Sequence, residues 1–357
     1  MERKENIGLG SSRRRAWRRF RRNYAAMAGL GVIVFVFIMS VMGAIIRPDA
    51  SKNANAQQLE IAKQKPGFQV DMIYFGVPES VDFSAWWEGG VDHSGESFAV
   101  DSLNFDVSGK LISYRVFGSE DWRLINSEVY TTEKKVYLLG TDKYGRDLLS
   151  RLMAGAKISL SVGAIAVLIS LMVGLLLGLL AGYYRGWVDA LIMWFTNVIW
   201  AVPTLLLVMA ITFAFGTGFW KVFLAVGLTM WVEVARITRG QVLGVREREY
   251  IEAARALGFS DLQIILKHIL PNIWSPIIVI AAANFASAIL IEAGLSFLGL
   301  GAQIPVPSWG NMIREHYAFI TTDLAYLAIV PGLMIMLLVL SFMMVGNGLR
   351  DALDVKA

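Results

Sequence analysis

The chain has 357 residues, of which 55% are hydrophobic and 17% are charged, below the roughly 25% charged residues that are usual for soluble domains. Long windows of the chain without charge indicate a membrane protein. The net charge of +4 is too small to argue for a nucleic-acid partner, and the absence of cysteine excludes disulfides and Cys-ligated metal sites.

The beginning of the chain is strongly basic. Residues 1–23 carry nine Lys and Arg against Glu2 and Glu5, and an apolar segment follows at once. Basic residues beside a first span mark the cytoplasmic side of a membrane, so this segment is predicted to be a cytoplasmic N-terminus. The alternative is a nucleic-acid-binding arm, which the adjacent apolar span disfavours, and no nucleic-acid partner is expected.

Six segments are apolar enough to cross a bilayer, which takes about 20 residues each. The predicted spans are 24–46, 159–183, 190–215, 219–237, 276–298 and 324–346. The first is too long for a signal peptide and lacks a clear cleavage site, so an uncleaved anchor is expected. Six spans place both termini in the cytoplasm, with residues 47–157 outside and residues 238–275 and 347–357 inside. The expected location is the cytoplasmic (inner) membrane, in contact with the lipid bilayer.

The outer region, residues 47–157, is the one sizeable polar part of the chain. The stretches SFAVDSLNFDV, KLISYRVFG and KVYLLG alternate in polarity and are separated by turn residues, a pattern that predicts short strands and hairpins. A small mixed or β-rich module is therefore expected. Trp86, Trp87 and Trp122 are interpreted as core anchors or, alternatively, as a docking face.

Charged residues close to the spans are candidates for function or for ion pairing. The motif TDKYGRDLLSR brings four of them together just before the second span, where ion pairs are expected. These four residues are Asp142, Arg146, Asp147 and Arg151. In span four, Glu233 and Arg236 are three residues apart, so that they pair on one face or Arg236 extends to the interface.

Two further residues are candidates for a translocation path. Glu292 is an ionisable residue within span five, where such residues are often functional; a structural role is the alternative. Pro203 is predicted to kink span three, either shaping a central cavity or as a merely tolerated kink.

Gly174, Gly178 and Gly182 form a ladder of small residues typical of close helix packing.

The inner loop, residues 238–275, has the pattern of two helices joined at a glycine. REREYIEAARAL is rich in helix-forming residues, and Gly258 follows where a left-handed cap belongs. Ser260 begins a second helix with Gln263 at capping-box spacing, and Pro271 is expected to end it and begin the next span.

Both predicted helices of the inner loop are amphipathic. The first is expected to gather Tyr250, Ile251, Ala254 and Leu257 on one face, and the second Leu262, Ile265, Leu266 and Ile269. Such a helix docks into a groove on a partner or lies on the lipid surface. The residues alone leave both alternatives open.

The same stretch, EYIEAARALGFSDLQIILKHILPNIW, resembles the EAA loop of ABC-importer permeases. The residues that match the family pattern are Glu252, Ala253, Ala254, Gly258, Leu270 and Pro271. His268 departs from the usual apolar residue, and the form HILPN resembles the dipeptide/oligopeptide/nickel branch of the family. Residues 139–163, 292–313 and 346–357 resemble further segments of that branch, whereas residues 50–138 have no counterpart and form an insertion.

This resemblance implies an all-α polytopic membrane protein with six transmembrane helices in the type I ABC-importer permease fold, plus the extracytoplasmic insertion. The permease core would be residues 158–346, with five of the spans. The coupling residues would be Glu252, Ala253, Ala254, Leu257, Gly258, Ser260, Leu270 and Pro271. Glu292 and Pro203 are the candidates for the translocation path.

The resemblance also implies which activities belong to partners. No Gly-x-x-x-x-Gly-Lys-Ser/Thr phosphate loop occurs in the chain, so no enzymatic activity, catalytic residue, cofactor or metal is expected here. ATP and magnesium would be bound by two partner ATPase subunits. A second homologous permease and an extracytoplasmic solute-binding protein would complete the importer, and short peptides or a related small solute would be its cargo.

The alternative function is a secondary transporter or channel that is not driven by ATP. Such a protein would be expected to show inverted half-repeats with broken helices and more charge at mid-membrane. The sequence shows neither.

Overall fold

The computed structural model describes residues 9–75, 90, 96–105, 111–126, 130–216, 219–303 and 305–353. Its helices are α1 (Leu9–Arg22), α2 (Tyr24–Ile46), α3 (Leu148–Tyr184), α4 (Gly186–Trp200), α5 (Thr204–Phe215), α6 (Phe219–Arg246), α7 (Glu249–Ala256), α8 (Asp261–Phe297), α9 (Trp309–His316) and α10 (Tyr326–Leu353). Its strands are β1 (Phe68–Phe75), β2 (Ser97–Phe105), β3 (Leu111–Val116), β4 (Trp122–Asn126) and β5 (Tyr130–Tyr137). Trp86 and Trp87, predicted as core anchors or a docking face, lie outside the described residues.

The chain divides into two compact units. The first unit comprises the described parts of residues 1–36, 159–301 and 334–357, and the second those of 37–158 and 302–333. The first unit contains the inner loop. The second contains the sheet.

Four of the described helices are long and apolar enough to cross a membrane: α2, α3, α8 and α10. Helices α4 and α5 pass the same criterion as a pair, which gives up to five spans. Helix α6 has 28 residues but is not among them, because Lys221, Glu233, Arg236 and Arg239 interrupt its apolar sequence.

The predicted third span over 190–215 is broken at Pro203, where a kink was expected. Helix α4 ends at Trp200, α5 begins at Thr204, and the two are bent by 91°. Pro203 stands just before α5 with φ −54° and ψ 127°. Proline has no N–H to donate, and its ring disfavours helical backbone at the preceding residue. The predicted disruption at Pro203 is therefore present, and it is a full break between two helices.

The expectation for Pro271 holds in part: it lies in the first turn of the apolar helix Leu270–Phe297, as predicted, but the loop helix does not end before it. Helix α8 continues from Asp261 to Phe297, and residues Ile264–Ile269 form a π-helical segment within it. The N–H of Leu270 donates to the carbonyl of Ile265, five residues back. This wider turn lies just where the ring of Pro271 would crowd the preceding turn of an α-helix.

The predicted β-rich module is present as a five-stranded antiparallel sheet in the order β4-β3-β2-β1-β5. One apolar cluster of the sheet contains Ile73, Ile112 and Tyr114, and another contains Met72 and Tyr137. The interpretation of Trp122 as a core anchor is wrong, because it is 47% exposed on the edge strand β4. An edge strand buries fewer of its side chains than a central one.

The glycine ladder of α3 packs directly against α6. A Cβ atom built on Gly174 would lie 2.5 Å from the Cβ of Val234, and one on Gly178 would lie 2.6 Å from the carbonyl oxygen of Ala235. A Cβ atom built on Gly182 would lie 2.7 Å from the Cβ of Val242. The predicted role in close helix packing is confirmed, since even one methyl group has no room in this contact.

We expect Gly178→Ala to lower the stability of the protein by about 1–3 kcal/mol, because the added methyl group overpacks a contact with backbone. The measurement is the thermal unfolding midpoint in detergent. Gly31→Ala in α2 is the matched control, because nothing lies within 4 Å of its Cβ position. An unchanged midpoint for Gly178→Ala would contradict close packing at this position.

Candidate functional site: the inner loop and a cavity among the helices

The inner loop is anchored by one apolar cluster, the loop core. Its buried members are Leu179, Tyr183, Val242, Val245, Ile251, Ala254, Ile264, Ile265, Ile269, Ile273 and Ile277, with Leu270 packed against them. They come from α3, α6, α7 and α8. The loop is therefore attached to the ends of three long helices.

The predicted apolar faces of the loop are only partly buried. Ile251 and Ala254 lie in the loop core, as do Ile265 and Ile269. Leu257, Leu262 and Leu266 are instead 77%, 65% and 50% exposed, and these three are called the exposed leucines below. A periodic pattern does not distinguish a side chain buried within the chain from one available to a partner.

Gly258 has the left-handed conformation that was predicted, with φ +79°. The N–H of Phe259 donates to the carbonyl of Ala254 at 3.2 Å, and that of Gly258 donates to the carbonyl of Arg255 at 3.0 Å. These two bonds form a Schellman cap, which satisfies the last carbonyls of α7. Nothing lies within 4 Å of a Cβ on Gly258, so only the backbone conformation restricts this position.

The predicted capping box at the start of α8 is confirmed. The N–H of Gln263 donates to Oγ of Ser260 at 3.4 Å, and the N–H of Ser260 donates to Oε1 of Gln263 at 3.1 Å. Of the other predicted coupling residues, Glu252, Ala253 and Pro271 are exposed. The loop thus has a fixed corner with exposed residues on both sides of it.

A polar contact that was not predicted joins the loop to the end of α3. The hydroxyl of Tyr183 donates to Oδ1 of Asp261 at 2.6 Å. The guanidinium groups of Arg246 and Arg255 lie 5.5 and 5.4 Å from the centre of the Tyr183 ring. Asp261 follows the capping serine, but its partner is 78 residues away in the chain, so no local pattern indicates it.

A cavity of about 210 Å³ lies beside the break between α4 and α5. Its lining includes Trp200, Val202, Thr204, Thr229, Glu233 and Ser287. Of the two predicted path residues, Pro203 belongs to the break that borders this cavity. Glu292 is not part of the lining; it is buried, and its Oε1 accepts a hydrogen bond from Oγ of Ser296 at 2.6 Å.

The predicted pair of Glu233 and Arg236 does not form. The guanidinium of Arg236 lies 3.8 Å from the centre of the Trp200 ring and donates to the side-chain oxygen of Asn197. Two residues of α4 therefore engage the cation, and Glu233 is among the residues that line the cavity.

In the second unit, the ion pairs expected before the second span are present for three of the four residues. Nε of Arg146 lies 2.6 Å from Oδ2 of Asp142, and its Nη2 lies 2.6 Å from Oε2 of Glu315. Arg151 approaches the same two carboxylates at 3.8 and 3.9 Å. Glu315, which completes this ion cluster, was missed because it is 169 residues from Arg146 in the chain.

Asp147 is the exception, and its predicted ion pair is wrong. Its Oδ2 accepts a hydrogen bond from the N–H of Ser150 at 3.0 Å, which caps the start of α3. Burial raises the pKa of Asp147, and the bonds from Ser150 oppose this shift. Asp147 acts as a helix cap because its position, just before Leu148, suits capping better than it suits pairing.

Asp142, Glu315 and His316 also bring potential metal-ligating atoms within 4.8 Å of one another. Arg146 and Arg151 already neutralise the two carboxylates, so a divalent cation would add uncompensated positive charge. Burial lowers the pKa of His316 and favours its neutral form. The arrangement fits a structural ion cluster better than a metal centre.

We expect Glu315→Gln to destabilise the protein by about 3–5 kcal/mol, because it leaves buried arginine charge without its carboxylate. The measurement is thermal or denaturant unfolding of the purified chain. Glu133→Gln on the exposed side of β5 is the matched control and should leave stability unchanged. Equal effects of the two variants would show that the ion cluster is not important for stability.

Two family models match the chain. The model described as "Binding-protein-dependent transport system inner membrane component" matches residues 174–356, and that described as "N-terminal TM domain of oligopeptide transport permease C" matches residues 11–66. The five strands of the sheet lie between these two ranges.

Curated relatives include the glutathione transport system permease protein GsiD of Escherichia coli O6:K15:H31 (strain 536 / UPEC) and of Shigella boydii serotype 4 (strain Sb227). Each is 46% identical over 217 residues, which cover 61% of this chain and 71% of the relative. A solved structure of the MetNI methionine ABC transporter in an inward-facing conformation aligns with a TM-score of 0.48 and 19% identity, over 57% of this chain and 95% of that chain.

Proposed function

Because the chain belongs to the family of binding-protein-dependent transport system inner membrane components, the permease subunits of ABC importers, we propose that it moves short peptides or a related small solute across the cytoplasmic membrane. Transport would proceed by alternating access and would be driven by ATP hydrolysis on separate subunits. The glutathione permeases among its relatives support a small peptide as cargo, since glutathione is a tripeptide.

The observation that carries this proposal is the exposure of Leu257, Leu262 and Leu266 on a loop whose opposite side is anchored in the loop core. An amphipathic helix with exposed apolar residues suits a groove on a partner protein. The proposed occupant of this contact is an ATPase subunit, which would bind ATP and magnesium. Two such subunits, a second permease and a solute-binding protein would complete the importer.

The eight predicted coupling residues have different parts in this proposal. Glu252, Ala253 and Leu257 are exposed and would contact the ATPase directly. Gly258 and Ser260 set the corner between α7 and α8, whereas Ala254 and Leu270 anchor the loop. Pro271 lies next to the π-helical segment, where α8 leaves the loop.

The proposed topology has six spans in the type I permease arrangement, with α6 as one of them and α4 and α5 together as another. Seven of the fourteen residues of α1 are Arg, which supports a cytoplasmic N-terminus. Six spans then place the C-terminus on the same side. The sheet would lie on the outer face, where exposed Trp122 and Leu124 are proposed to help seat the binding protein or the partner permease.

We expect Gly258→Val to abolish most ATP-driven uptake in proteoliposomes while the chain remains folded. A β-branched residue at φ +79° strains the corner by roughly 1–2 kcal/mol or more, and the corner sets the direction of α7 relative to α8. Gly258→Asn is the matched control, because Asn tolerates the left-handed region. Full uptake by the valine variant would contradict the coupling role.

We expect Leu262→Ser to weaken association with the ATPase subunits by about tenfold or more, since burying a leucine contributes ~1.5–3 kcal/mol. The complex is extracted gently from native membranes, and mass spectrometry identifies and quantifies the ATPases that co-purify. Leu59→Ser, at another leucine exposed to 67%, is the control.

If no ATPase co-purifies with the wild-type chain and it carries out ion-driven transport, the importer proposal is wrong and a secondary transporter takes its place. If ATPases co-purify equally well with Leu262→Ser, the importer stands but the exposed leucines are not its contact.

A further inference from the structure

The cavity beside the break at Pro203 is lined by one acidic residue and three hydroxyl-bearing residues. Glu233 is the charged member of its described lining, and Thr204, Thr229 and Ser287 are the hydroxyl-bearing members. The hydroxyl of Thr229 donates to the carbonyl of Val226 at 2.8 Å. These residues come from α5, α6 and α8. The cavity is therefore built where three helices of the first unit meet.

The carboxylate of Glu233 is available to a ligand. Within the described part of the chain, no hydrogen bond or ion pair engages it. Arg236, the nearest cation in sequence, is held by Trp200 and Asn197 on α4. A carboxylate among membrane helices is costly unless it faces water, a cation or a polar partner.

The size of the cavity limits the part of a ligand that fits inside. A volume of about 210 Å³ is smaller than the roughly 300–1,000 Å³ of sites that enclose a drug-sized ligand. It suits one end of a peptide, such as an amino-terminal residue. The apolar side chains of Ile199, Leu207 and Met230 also line it and suit the first side chain of that peptide.

We propose that this cavity binds the amino-terminal end of the transported peptide, with the Glu233 carboxylate accepting hydrogen bonds from its α-ammonium group. The inference rests on the proposed function, because it takes a peptide as the cargo. A peptide α-amino group has a pKa of about 7.7–8.0 and is therefore mostly charged at pH 7. An ammonium donor and a carboxylate acceptor form a charge-assisted hydrogen bond, which is stronger than a neutral one.

The test measures direct binding to the purified permease–ATPase complex without its solute-binding protein, so that the selectivity of that protein does not contribute. Equilibrium dialysis with radiolabelled alanyl-phenylalanine gives the affinity, and unlabelled N-acetyl-alanyl-phenylalanine is the competitor without an ammonium group. We expect the acetylated peptide to compete about tenfold to hundredfold more weakly than the free peptide.

Glu233→Gln should weaken binding of the free peptide by a similar factor and leave the affinity for the acetylated peptide unchanged. Glu233→Asp retains the charge and should keep part of the preference for the free amine. Glu133→Gln on β5 is the control, with wild-type binding expected. Co-purification of the ATPases and the unfolding midpoint are measured for each variant, which separates a lost ligand contact from a lost complex.

Equal competition by the two peptides on the wild-type complex, or no binding of the free peptide at millimolar concentration, would overturn the inference even if Glu233→Gln failed to fold. An equal loss of affinity for both peptides in Glu233→Gln would also overturn it, since a general effect on the cavity is then responsible. None of these results would contradict the ATP-driven importer itself, which depends on co-purification of the ATPases.

Discussion

Burial of the isoleucine side chains beneath the inner loop holds α7 and the start of α8 against the ends of α3 and α6. Ile251 from α7 and Ile264, Ile265 and Ile269 from α8 are all buried there. Removing one such side chain from water contributes about 1.5–3 kcal/mol, so all four favour the docked position of the loop. This fixed opposite side determines the direction in which the exposed leucines project.

The same anchoring requires a sharp corner at Gly258, because the helices on both sides of it are held by the loop core. Its two hydrogen bonds end α7, and the capping box starts α8 two residues later. The chain therefore turns within very few residues while both helices stay in contact with the loop core. The bond between Tyr183 and Asp261 adds a polar attachment to α3 at the same place.

Sequence reasoning succeeded where the signal is local. The left-handed Gly258 and the pair of Ser260 and Gln263 depend on residues within one turn, and strand alternation predicted the sheet. Prediction from sequence failed where the partner of a side chain lies far away in the chain. Glu315 pairs with Arg146 across 169 positions of the chain. The guanidinium of Arg236 contacts the Trp200 ring and does not pair with Glu233.

The form that the backbone takes at the two prolines was not predictable for a different reason. Sequence shows that proline disrupts a regular helix, but not how the backbone responds to it. At Pro203 the chain separates into two helices at 91°. Before Pro271 a π-helical segment keeps α8 continuous. In both cases the residues concerned lie beside the candidate functional regions.

The continuity of α8 has a mechanical consequence for a permease. Its first turn belongs to the corner of the inner loop, whereas Ser287 and Ile291, farther along the same helix, line the cavity. The two positions are about 40 Å apart along a helix that rises ~1.5 Å per residue. A partner that moves the corner therefore moves a wall of the cavity without any flexible linker between them. The π-helical segment and the interior Pro276 both lie on that route, and bending of a helix concentrates at such positions.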